Sequence, residues 1–249
     1  MAFRSQKATG AFVVLVFCGL VAPAEQVTIP VRHPHLRNGG FGEIRIGESS
    51  IIFSEKGKKQ KHSREWAFDE IQQLYLGSNS LRILTYEDVR WKLGSDREIE
   101  FDRLPEGAAQ RIRYAVRGLM DERRVVTALP DPQIEAVWQV KAKLLDGRSG
   151  SEGVVLVGDD SIVYKSEEPN ASRTWNFTQI DGVSSAGPFD LTITTFERDN
   201  FPFAGRRDFR FQLKTELAED RYNALWQRLN QSRLKQFSIH TQTKENDNE

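Results

Sequence analysis

Two hydrophobic periods follow one another along this chain. Ile44 and Ile46 alternate with Glu43 and Arg45, Trp66 and Phe68 with Glu65, Ala67 and Asp69, and Ile99 and Phe101 with Glu98 and Glu100. Period two is the mark of strands with one face covered. It predicts strands near 42–47, 50–55, 63–69, 72–77, 80–86, 89–93 and 96–102. The period then lengthens. After Pro105, the residues Ala108, Ile112, Ala115 and Leu119 share one helical face, which predicts a helix over 105–120.

The pattern then recurs about 110 residues on. Ser63–Ile71 (SREWAFDEI) returns as Ser172–Ile180 (SRTWNFTQI), and Ile46–Phe53 returns as Val157–Tyr164. Leu81–Glu87 returns as Leu191–Glu197, and Arg97–Phe101 as Arg207–Phe211. Ala218, Tyr222, Leu225 and Leu229 repeat the helical face over 215–230, and Trp226 answers to Val116. Four blocks in one order, with small drift in offset, indicate duplication, and a unit of this length is a domain rather than a solenoid repeat. Trp66, Phe68, Phe101, Trp175, Phe177 and Phe211 are expected in the core.

Seven short strands closed by one helix resemble the pleckstrin-homology-like fold. The W-x-F-x-x-I segment (Trp66, Phe68, Ile71; Trp175, Phe177, Ile180) and the terminal helices carry the resemblance, over about 36–121 and 145–231. It implies a mostly β protein of two tandem partly open barrels, each with a C-terminal capping helix. It also implies a binding scaffold rather than an enzyme, and no cofactor. The expected organisation is a signal peptide at 1–24, a first domain at 25–121, a linker at 122–143, a second domain at 144–231 and a disordered tail at 232–249.

The ends and the composition narrow the setting. Arg4 and Lys7 precede the apolar run Ala11–Ala22, and Ala22-Pro23-Ala24 offers a small-x-small cleavage site. This reads as an export signal, too short for the roughly 20 residues that cross a bilayer. The only cysteine, Cys18, lies inside it, so the mature chain is expected to be free of thiols, as suits an exported periplasmic or extracellular protein. Removing the leader takes the balance from 35 cations against 35 anions to 33 against 35. Such a balance excludes a broadly basic nucleic-acid binder.

Three features carry candidate chemistry. Lys56, Lys58, Lys59, Lys61, His62 and Arg64 crowd the loop before the W-x-F segment. This loop suits an anionic lipid or polysaccharide surface, at roughly 1 kcal/mol per charge near it. The plainer reading is a solvated hairpin tip. The matching loop of the second copy, Lys165–Asn170, is acidic. The loops joining the last two strands carry Trp91 in one copy, and Phe201, Phe203, Arg206 and Arg207 in the other. Aromatics beside arginines suit a protein or peptide partner, unless they fold back onto a sheet or fill the join between copies. His33, His35 and His62 are weighed as metal ligands without acidic or thiol support, and none of the catalytic signatures weighed is present. The expected role is therefore that of a non-catalytic module in a cell envelope, meeting a protein through 89–94 and 199–207. Peripheral binding to anionic envelope material is the alternative, and an envelope enzyme the third reading.

Overall fold

Each half of the chain orders its strands in the same way. The structure, a computed structural model, describes residues 27–34, 40–57, 63–90, 94–146, 149–168, 170–198 and 205–231. The first half holds β1 (Thr28–His33), β2 (Gly40–Ile46), β3 (Ser50–Glu55), β4 (Arg64–Ala67), β5 (Ile71–Gly77), β6 (Ser80–Asp88), β7 (Asp96–Asp102) and the helix α1 (Ala108–Val116). A 3-10 turn (Glu122–Arg124) and β8 (Val125–Ala128) follow. The second half holds β9 (Trp138–Asp146), β10 (Ser149–Val157), β11 (Ser161–Ser166), β12 (Arg173–Asn176), β13 (Ile180–Ser184), β14 (Asp190–Thr195), β15 (Arg207–Leu213) and the helix α2 (219–231).

The hydrogen-bonded order is β13-β14-β15-β9-β10-β11-β12, then β8, then β5-β6-β7-β1-β2-β3-β4. The protein is thus mostly β, with one helix ending each half. β5 and β13 bulge at matching places, between Ile71 and Gln73 and between Ile180 and Gly182. Phe53 and Phe101 rings stand 4.9 Å apart, and Tyr164 and Phe211, their repeat partners, 5.1 Å. Trp66 meets Phe101 edge-on at 6.1 Å, as Trp175 meets Phe211 at 6.4 Å. These contacts centre two separate cores, and all six aromatics expected there are buried. Gly42 and Gly153 let the rings approach: a Cβ would lie 2.4 Å from the Phe53 ring, or 2.7 Å from that of Tyr164.

Several boundaries differ from the sequence expectation. The W-x-F strand stops at Ala67, because the Glu70 carboxylate accepts the Ala67 amide at 3.0 Å and turns the chain at Phe68. Gln179 does the same for the Asn176 amide at 2.7 Å. Residues 89 and 90 form no strand, and 91–93 lie outside the described residues. The seventh strand is instead β1, which pairs with β2 and touches β7, where Arg32 forks onto Asp102. The strand expected at 42–47 starts two residues earlier, at Gly40.

The helices are shorter than expected. Gly118, at φ 75, ends the turn after α1, so Leu119 is 44% exposed instead of buried. Trp226 is likewise exposed and Leu229 buried, so Leu229, not Trp226, takes the place of Val116. The expected linker 122–143 also holds more structure. It contains β8, which pairs in parallel with β5 and touches β12 at Thr127–Thr174, and it contains the start of β9. The four residues of β8 are buried because the strand closes the seam between the halves. The proposed leader 1–24 and tail 232–249 lie outside the described residues. Among the described residues no helix is long and apolar enough to cross a membrane.

Candidate functional site

The repeat places the same three charges at one spot in each half. Arg64, Glu87 and Arg97 correspond to Arg173, Glu197 and Arg207. In the first half Arg64 and Arg97 grip the Glu87 carboxylate at 2.6 and 2.9 Å on the surface. In the second half Arg207 grips Glu197 at 2.8 Å, and the Glu197 side chain is only 5% exposed. Both glutamates are positioned alike: Thr85 and Thr195 hydroxyls accept the amides of Glu87 and Glu197, each at 3.3 Å.

The surroundings differ. Arg173 is buried between the Tyr75 and Phe209 rings, its guanidinium carbon 5.9 and 5.8 Å from their centroids. Arg173 donates to the Asn170 and Ser172 carbonyls at 2.8 and 2.9 Å. The Arg64 hydrogen bond holds the Glu87 carboxyl below the usual range. Burial pushes the Glu197 carboxyl above that range, against the attraction of Arg173 and Arg207.

Next to this cluster, the two halves meet at the roots of the loops nominated for partner binding. Arg198, which opens the second loop, donates to Gln72 at 2.7 Å and to the Asp96 carboxylate, which closes the first. The first loop is pinched by the Val89 amide on the Ser95 carbonyl, at 2.9 Å. Arg123 and Arg206 bracket the Phe196 ring at 5.7 and 5.6 Å. Arg206 is 57% exposed and pairs with Asp181 at 2.5 Å, whereas Arg207 turns inward to Glu197. Trp91, Phe201 and Phe203 lie outside the described residues.

Of the basic loop, Lys56 pairs with Glu43 at 2.7 Å and Arg64 with Glu87, while Lys58, Lys59, Lys61 and His62 lie outside the described residues. His33 stands 5.3 Å from the Phe101 ring, with Nδ1 2.9 Å from the Glu100 carbonyl, which is a place at the core's edge. His35 lies outside the described residues. Among those residues no group of three acidic, histidine or cysteine side chains is placed to hold a metal.

Sequence reasoning missed a polar cleft of about 420 Å³ where α1 and the β8 segment face the second half. Arg113 forks onto Asp131 and Asn176 at 2.8 and 2.9 Å. The Glu122 carboxylate accepts the Thr178 hydroxyl at 2.9 Å, and Gln179 donates to the Val125 carbonyl at 2.5 Å. Asp159, Asp160 and Ser161 form another wall. The cleft offers hydrogen bonds of both signs to a small polar ligand. One signal existed in the sequence: Asn176, Thr178 and Gln179 replace Ala67, Asp69 and Glu70 of the first copy.

No protein-family model and no curated protein matches the sequence. Among solved structures, the chain is similar to the C-terminal domain of an unknown protein from Leishmania infantum, at 12% identity and TM-score 0.29. That match covers 38% of this chain and 84% of the other. It is also similar to the Spt16D Pob3N heterodimer, at 11% identity and TM-score 0.28, over 70% of this chain and 89% of that one.

Proposed function

We propose that the chain is an exported, non-catalytic binding module of two tandem pleckstrin-homology-like domains, which holds a protein or peptide partner at the join of its halves. The repeated strand order and the terminal helices support the domain reading, and the apolar run Ala11–Ala22 supports export. The observation that carries the partner surface is the Arg198–Asp96 pair. It roots at one point the two loops whose sequences carry Trp91 and Phe201–Phe203, and aromatics beside arginines suit a protein partner. The anionic-surface alternative has weaker support, because the described ends of the basic loop, Lys56 and Arg64, already hold carboxylates.

The test is chemical cross-linking of residues 25–249 in an envelope extract, with Phe201→Ala plus Phe203→Ala as the comparison. Capture is expected to survive moderate salt and to fall in the double variant. Co-sedimentation with anionic vesicles is the contrary outcome. If it fades with ionic strength and with Lys58→Glu plus Lys59→Glu, the lipid reading replaces this one. Turnover of a small polar substrate, abolished by blocking the cleft at Arg113, would reinstate an enzyme.

A further inference from the structure

The polar cleft between α1 and the second half holds more carboxylates than its cations neutralise. Three pairs form: Arg113 with Asp131 at 2.8 Å, Arg117 with Glu122 at 3.6 Å, and Arg228 of α2 with Asp159 at 3.2 Å. Glu135 and Asp160 line the same cleft, and neither carboxylate has a partner among the described residues. A glycine lets their segments meet. A Cβ on Gly158 would lie 3.2 Å from the Glu135 carbonyl. The Gly158 amide donates to the Ser161 carbonyl at 2.9 Å, which closes the turn carrying Asp159 and Asp160. Ile134 and Glu135 thus run beside that turn.

Exposed carboxylates are ordinarily solvated, so their charge alone makes no site. The cleft adds three further features. Its volume, about 420 Å³, falls in the range of roughly 300–1,000 Å³ usual for small-molecule sites. The last turn of α1 lines it through Arg113, Tyr114 and Val116, and the carbonyl end of a helix favours cations. Tyr114 is 49% exposed on that wall, and the face of an aromatic ring attracts a cation. The walls are also tied to each other before any ligand enters. Arg113 reaches Asn176 across the join at 2.9 Å, and Glu122 accepts the Thr178 hydroxyl at 2.9 Å.

We propose that this cleft binds an organic cation of the guanidinium or primary-ammonium class, with Glu135 and Asp160 as its counter-charges and Tyr114 against its face. Both carboxylates are acceptors without a donor in the chain, so a cationic ligand completes them. A guanidinium suits the site better than an ammonium, because its planar fork offers N–H groups in pairs to a carboxylate and its face stacks on a ring. The three arginines stand in ion pairs, which leaves the local field negative and turns an anionic ligand away.

The test is titration calorimetry of the full chain with Nα-acetylargininamide, whose only charge is its guanidinium, beside its neutral urea twin Nα-acetylcitrullinamide. The charged probe is expected to bind at least about tenfold tighter. Glu135→Gln plus Asp160→Asn should weaken it by about tenfold or more and leave the melting temperature unchanged, because both side chains are exposed. Tyr114→Ala should weaken it by about threefold. Equal affinity for the two probes overturns the proposal, and so does binding of the charged probe that the double variant leaves unchanged. Binding of neither probe overturns it as well. The same arginine placed inside a glycine pentapeptide separates the sources of the cation. Equal affinity assigns a peptide side chain, and a loss of about tenfold or more assigns a free small molecule. No readout depends on the partner surface at the loops.

Discussion

The clusters Arg64–Glu87–Arg97 and Arg173–Glu197–Arg207 have the same residues at spacings within one position of each other, yet two arginines grip Glu87 while only Arg207 grips Glu197, and their electrostatics are opposite. Glu87 sits in water, where its arginines lower its proton affinity; Glu197 sits under the first half, where burial raises it. Duplication copied the side chains, and the packing of one copy on the other changed what they do. The first half stands over the second's cluster through Tyr75, and nothing described covers the first's cluster in return. The same asymmetry runs through the sheet. β8 seals β5 against β12, which leaves β4 and β13 as the ends of the described order.

The largest expected effect comes from removing the two glutamates separately. Glu197→Ala takes the carboxylate from the partly buried Arg207, beside buried Arg173, and should cost about 3 kcal/mol of unfolding free energy. Glu87→Ala breaks an exposed pair and should cost less than about 1 kcal/mol. Equal losses in denaturant titrations would mean that the halves do not pack as described. A sharper form adds Tyr75→Ala, which uncovers the second cluster. The cost of Glu197→Ala should shrink by about 1 kcal/mol in that background, and additive costs would deny the coupling.

Arg198→Ala should have a smaller effect on stability, about 1 kcal/mol, because its pair with Asp96 is only partly buried. Its diagnostic reading is partner capture. The two loops lose their common root, so capture should fall further than stability does.

The pH dependences should differ in sign. Glu87 has a lowered folded pKa, so its contribution is present above the unfolded carboxyl value and lost as pH falls through the folded one. The wild type's advantage over Glu87→Gln should therefore hold from neutrality to about pH 4 and shrink mainly on acidification below it. Glu197 has a raised folded pKa, so its contribution is present below the unfolded value and lost as pH rises through the folded one. Wild type should gain on Glu197→Gln already on acidification from neutrality to about pH 4. Parallel slopes in melting experiments would refute the burial of Glu197.

How much of this was legible beforehand follows from the range of each interaction. Period two located most strands, and the repeat blocks already contained every member of both charge clusters. The blocks could not show that Arg64 meets Glu87, 23 positions away, because strand order sets that contact. Residues 89 and 90, expected to open a strand, form none, and β1, ahead of the alternating region, fills the seventh place by pairing with β2. Asp131 and Arg113 lie in segments with no shared pattern, so the cleft they line had no local signal beyond three substitutions within the repeat.

By itself, then, the sequence determined what depends on neighbouring residues: alternation, helix spacing, the turn-forming Glu70 and Gln179, and the identity of the two cores. The tertiary structure alone decided which copy of each repeated group is buried, which strand edge is sealed and which loops share a root. Those outcomes depend on the single seam at β8, where two equal units must take unequal places, because one strand can close only one edge of each.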